Sequence, residues 1–142
     1  MIASIDYAKL LKIFFQSRKE TIFAYLFGSQ AKNQSGPLSD IDLAVYFNQK
    51  FSASQRFGRR LQYIQDISSA LKTDKIDLCI LNDSPLPLRF SIVHGGVLVC
   101  DRHPPKRVEF EVKTMSLFFD RQYYEKRHAE FNLKRIAKEG IL

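Results

Sequence analysis

The chain has 142 residues, 45% of them hydrophobic, and a formal net charge of +7. That length fits one domain with a core of its own, and no apolar run reaches the roughly 18 residues needed to cross a bilayer. Met1 to Gln16 carries Asp6, Lys9 and Lys12 and lacks the layout of a signal peptide, so a cytoplasmic protein with no membrane role is expected.

Taken in order, Ile5 to Phe15 places Ile5, Ala8, Leu11 (or Leu10), Phe14 and Phe15 at helical spacing, with Ser4 or Asp6 as the cap. Thr21 to Phe27 is β-branched and aromatic and reads as a strand. A short helix after Ser29 and a loop through Gly36 and Pro37 lead to a second strand, Asp40 to Phe47. Ser52 or Ser54 starts a helix to about Leu71, with Phe57, Leu61, Ile64, Ile67, Ser68 and Leu71 as its apolar stripe. Lys75 to Leu81 is a third strand, Leu88 to His94 a short helix stopped by Gly95 and Gly96, and Val97 to Cys100 a fourth strand. Pro104 and Pro105 open a long helix to about Lys138. The order predicts an α/β domain: a small mixed sheet of about four strands backed by helices. Residues 1–103 form its core and 104–142 one helical segment, within a single domain spanning 1–142. Cys79 and Cys100 sit in apolar runs and read as small buried hydrophobes of a reducing compartment.

The chemistry is concentrated where the first strand ends and the second begins. Gly28-Ser29 is followed by ten residues and then by Asp40-Ile41-Asp42. Side chains two apart on a strand share a face, so Asp40 and Asp42 point one way and Ile41, Leu43 and Val45 the other. Two such carboxylates repel unless a cation lies between them. Mg²⁺ suits them, because it takes hard oxygen ligands and is completed by substrate phosphates. Gly28 allows close backbone approach, and a helix starting near Ser29 offers free N–H groups to phosphate. Asp-x-Asp alone is common at strand edges, where Asp40 is equally a turn or cap residue; the combination with Gly28-Ser29 carries the weight. Asp77 is the one charge in the run Ile76 to Leu81 and needs a cation or donors if it is buried. Arg56, Arg59, Arg60 and Arg89 are candidates to neutralise phosphate. His94, His103 and His128 show no metal-ligand spacing.

Gly28-Ser29, the ten-residue gap and Asp40-Ile41-Asp42 resemble the signature of the DNA polymerase β-type nucleotidyltransferase superfamily. Leu26 to Ala31 and Ser39 to Val45 resemble more closely its minimal branch, the MNT antitoxins of HEPN/MNT toxin–antitoxin pairs. The resemblance implies the matching fold, ATP as substrate, and two Mg²⁺ ions held by Asp40, Asp42 and Asp77. It implies triphosphate binding at Gly28 and Ser29, and a part for Asp77 in deprotonating the nucleophile. It also implies transfer of AMP to a tyrosine of a partner HEPN ribonuclease, with release of pyrophosphate. The alternatives are a module that silences its toxin by contact alone, and a transferase acting on a small-molecule acceptor. The basic charge favours nucleic acid only weakly, since no aromatic-basic reader motif accompanies it. Beyond residue 103 no motif is matched, but Phe110, Phe118, Phe119, Tyr123, Tyr124 and Phe131 crowd one helix. Some of these, with Val108, Val112 and Met115, are expected to cover the sheet, and the rest to dock a partner.

Overall fold

The computed structural model describes residues 6–28 and 40–139. The expected helix after Ser29, the loop through Gly36 and Pro37, Ser29 itself and Ser4 lie outside those residues. Helix α1 (Tyr7–Phe15) is capped by Asp6, whose carboxylate accepts from the Lys9 backbone N–H. Strands β1 (Thr21–Phe27), β2 (Ile41–Phe47), β3 (Ile76–Ile80) and β4 (Val97–Asp101) form one sheet in the order β3-β2-β1-β4. Strand β1 runs antiparallel to β2 and β4, while β2 and β3 are parallel, so the sheet is mixed as expected. The parallel pair needs a crossover. Helix α2 (Ala53–Leu71) provides it, started by a capping box between Ser52 and Gln55. A single 3₁₀ turn (Leu81–Asp83) follows β3, then α3 (Leu86–Gly95). Helix α4 (Pro104–Glu139) closes the described chain.

Strict alternation along β2 gives the sheet two dry faces. Ile41, Leu43, Val45 and Phe47 join Leu11, Phe15, Tyr63, Ile67 and Leu78 on the face covered by α1 and α2. Ala44 joins Phe23, Tyr25, Leu81 and Ile92 on the face covered by α3 and the start of α4, where Phe110 packs. Burying both faces explains why the central strand β1 reads as an apolar run rather than as a half-polar alternation. On the edge strand β3 only Leu78 is buried and Asp77 is exposed, so its carboxylate carries no burial cost of its own.

Two expectations about helix faces are corrected. On α2, Phe57 and Leu61 are about half exposed, and Tyr63 is the large side chain that goes in. Its hydroxyl is paired with Thr21 Oγ1 at 2.7 Å and donates to Glu20 at 2.8 Å, so a tyrosine is dry there at no polar cost. On α4, Val108 and Val112 face outward. Phe110, Thr114 and Phe118 turn inward instead, and Phe118 stacks on Phe90 of α3 with ring centroids 3.9 Å apart. Beyond Phe118 the helix leaves the sheet, and every residue from Arg121 to Phe131 is exposed.

Candidate active site

Strand pairing brings together Gly28, Asp42 and Asp77, which are far apart in sequence. Phe27 is the antiparallel partner of Asp42, and Asp77 is its parallel partner on the other side. Paired residues on neighbouring strands lie on one face, about 4.8 Å apart along the hydrogen-bonding direction. Asp42 and Asp77 are therefore side by side, at the edge of the face that carries Ala44 and Cys79 further along. Asp40 stands just before β2 and is exposed. The β2 start is tied to β3 by Ile41 N–H donating to the Lys75 carbonyl at 2.8 Å.

Gly28 is held at φ +73°. Only glycine adopts that conformation without strain. A second constraint falls on the same residue. A Cβ at position 28 would overlap Asp42 Oδ2 and sit 3.2 Å from Asp42 Cγ. The missing side chain is thus the space into which the Asp42 carboxylate points.

The Asp42 carboxyl is pushed above its ordinary pKa, first by burial and then by the negative charges of Asp77 and Asp40. Two further carboxylates thus press on that of Asp42 at this edge, an arrangement a cation relieves. Asp40 and Asp77 also line a cleft of about 280 Å³ with Asp74, Lys75 and Ile76. Asp74 is the acidic residue that sequence reasoning passed over; its signal was Asp-x-x-Asp at the head of a strand. Among the described residues no three His, Cys, Asp or Glu side chains close into a complete metal cage. The donor set fits Mg²⁺ nonetheless, since that ion is ordinarily held by one or two carboxylates with the rest of its shell from water and phosphate oxygen.

None of the arginines proposed from sequence stands with the acids. Arg56 binds Asp83 through two hydrogen bonds, at 2.9 and 2.7 Å. Arg59 is 3.9 Å from Glu20, and Arg60 donates to the Leu78 carbonyl. Arg59 and Arg60 belong to α2, which packs on the opposite face of the sheet from Asp42. Arg56, from the first turns of α2, and Arg89 of α3 line a different cleft. Cys79 and Cys100 are free, one on each edge strand.

Residues 9–105 match the family described as Polymerase beta, Nucleotidyltransferase, and the chain belongs to that family. Its sheet and helices are the polymerase β-like nucleotidyltransferase fold. Among solved structures it is similar to a toxin–antitoxin with AMP-PNP, at 24% identity and TM-score 0.66, covering 87% of this chain and 98% of that one. It is similar to a mutant MntA–HpeT toxin–antitoxin, at 25% identity and TM-score 0.65, covering 92% and 99%. A third likeness is to the structure of a tri-AMPylated Shewanella oneidensis HEPN toxin in complex with its MNT antitoxin, at 23% identity and TM-score 0.62, covering 89% and 98%. No curated protein matches the sequence. Among the described residues no helix is long and apolar enough to cross a membrane.

Proposed function

We propose that this chain is an antitoxin nucleotidyltransferase, transferring AMP from ATP to a tyrosine of a HEPN ribonuclease partner and so silencing it. The observation that carries the reading is the meeting of Gly28, Asp42 and Asp77 at one strand edge, with Asp40 beside them. The partner is supported by the likeness to MNT–HEPN pairs and by the bare far half of α4.

In this reading Gly28 and Ser29 would bind the triphosphate, and Asp40, Asp42 and Asp77 would hold Mg²⁺ against it. Two bound Mg²⁺ ions would neutralise the charge that develops on the attacking and leaving oxygens. Asp77 would help take the tyrosine proton as the tyrosine oxygen bonds to the α-phosphorus. The bond between the α-phosphorus and the bridging oxygen breaks, and pyrophosphate leaves. Catalysis is then positioning and charge neutralisation.

A second reading, silencing by contact alone, is favoured by the same bare helix. One experiment separates the two. The HEPN protein encoded nearest this chain is incubated with it, α-labelled ATP and Mg²⁺, and both the label on the toxin and its ribonuclease activity are followed. Label on a toxin tyrosine, lost with Asp42→Asn together with silencing, supports transfer. Silencing that survives Asp42→Asn supports contact. Label on small molecules of a lysate with none on the toxin would point to a small-molecule acceptor.

A further inference from the structure

A second cleft lies at the far end of β2. It holds about 410 Å³ and is lined by Tyr46 from the sheet, Arg56 from α2, Arg89 from α3, and Lys106, Phe110 and Lys113 from α4. Asp42 and Tyr46 are four residues apart on one strand, about 13 Å at strand rise. Between them Ala44 is fully buried with Phe23, Tyr25, Leu81 and Ile92, and the two clefts share no lining residue.

The charges of this cleft are unbalanced. Arg56 already has a carboxylate, that of Asp83. Arg89, Lys106 and Lys113 have no ion-pair partner among the described residues, although Glu109 also lines the cleft. The Nε of Arg89 is buried and makes no hydrogen bond. A buried guanidinium donor without an acceptor is costly, and such groups ordinarily mark a missing partner. The floor is aromatic: Tyr46 stacks on Phe23 at 4.6 Å, and Phe110 leans on Tyr46 at 5.3 Å. Three unpaired cations around an aromatic floor in a concave site of this size suit a small anion of several charges.

We infer that this cleft is a second ligand site, binding a phosphorylated small molecule of the pyrophosphate or nucleotide class without a metal. Arg89 offers its planar fork to one phosphate, and Lys106 and Lys113 approach from α4 as point charges. An occupant would tie α3 to the start of α4, the two elements that cover the Asp42 face.

The test uses the full chain carrying Asp42→Asn in excess EDTA, which disables metal-dependent binding at the acidic edge. Pyrophosphate, ADP and ATP are titrated by calorimetry at two salt concentrations. One anion bound per chain, weaker at high salt, is expected, and the tightest of the three names the ligand class. Lys106→Gln and Lys113→Gln should each weaken it about tenfold, the loss of one charge-assisted contact. Both positions are exposed, so their melting temperatures should stay near the parent's. Arg89→Lys, which keeps the charge and removes the fork, should weaken it as well. No binding of any of the three would overturn the inference. So would binding that both lysine changes leave within twofold, or tight binding of a short oligonucleotide with none of the small anions bound.

Discussion

Gly28→Ala puts one methyl group where the structure leaves room only for the Asp42 carboxylate. Two costs add. The left-handed backbone at φ +73° strains an alanine by about 1–2 kcal/mol. The new Cβ would overlap Asp42 Oδ2. The carboxylate is the free end of a side chain, so it swings off its rotamer for on the order of 1 kcal/mol rather than breaking the sheet. The expected loss is about 2–3 kcal/mol, or roughly 8–12 °C in Tm at about 4 °C per kcal/mol for a domain of this size. Transfer should suffer more. A carboxylate moved by about 1 Å costs on the order of 100-fold in rate when positioning carries the reaction. Thermal melts, and AMP transfer assayed well below the melting point, measure the two effects. Gly58→Ala is the control: that exposed helical position has nothing within 4 Å of a new Cβ and should gain about 0.5–1 kcal/mol. An Asp42→Ala background completes the cycle, because the overlap is then gone and only the backbone strain remains. Equal destabilisation in both backgrounds, or near-native transfer by Gly28→Ala, would refute the claim that Gly28 serves by making room for Asp42.

The remaining predictions concern the acids, the long helix and a thiol. Asp42→Asn should abolish transfer yet leave the metal-free protein no less stable at neutral pH, since burial and neighbouring charge already disfavour the ionised carboxylate. Stability held by the protonated form is present below the ordinary carboxylate pKa and lost as pH rises through the elevated one. The difference in Tm between the native chain and Asp42→Asn, followed in EDTA from pH 3 to 7, should therefore fall with pH. Asp77→Asn should slow single-turnover transfer far more than it weakens Mg·ATP binding; parallel losses in both would contradict the division of labour with Asp40 and Asp42. Tyr123→Asp with Tyr124→Asp should leave the isolated chain folded, because the two residues are 57% and 70% exposed, and should prevent co-purification with the proposed HEPN partner. Unfolding by that pair, or an undiminished complex, would count against docking by α4. The Cys79 thiol, pushed up to about 11 chiefly by burial, should resist iodoacetamide at pH 8 in the native chain while the unfolded chain reacts.

The sequence by itself determined the elements that rest on local chemistry. Asp6, the Ser52–Gln55 capping box and Pro104 mark helix starts through groups close in the chain, and each helix begins where they stand. Strand β1 was legible because a strand dry on both faces leaves an unbroken apolar run. The alternation of β2 was enough to separate Asp42 from Ile41 and Leu43. Gly28, Asp40 and Asp42 were legible as a constellation because they belong to one hairpin-like pair of strands.

What only the tertiary structure decided is what lies opposite what. Asp77 was a lone charge in an apolar run until the β2–β3 register set it beside Asp42. The reason Gly28 must be glycine twice over appears only when Phe27 is paired with Asp42. Helical periodicity named Phe57 and Leu61 as inward, but a period fixes a stripe and not its phase against the sheet. Glu20 and Thr21, from before and within β1, chose Tyr63 instead by satisfying its hydroxyl. Val108 and Val112 went outward for the same reason of phase, since Phe110 and Phe118 found ring partners in Tyr46 and Phe90. The far cleft draws its cations from three helices that no local pattern connects: Arg56 and Arg89 were legible as phosphate candidates, but only the fold sets them with Lys106 and Lys113 and away from the acids.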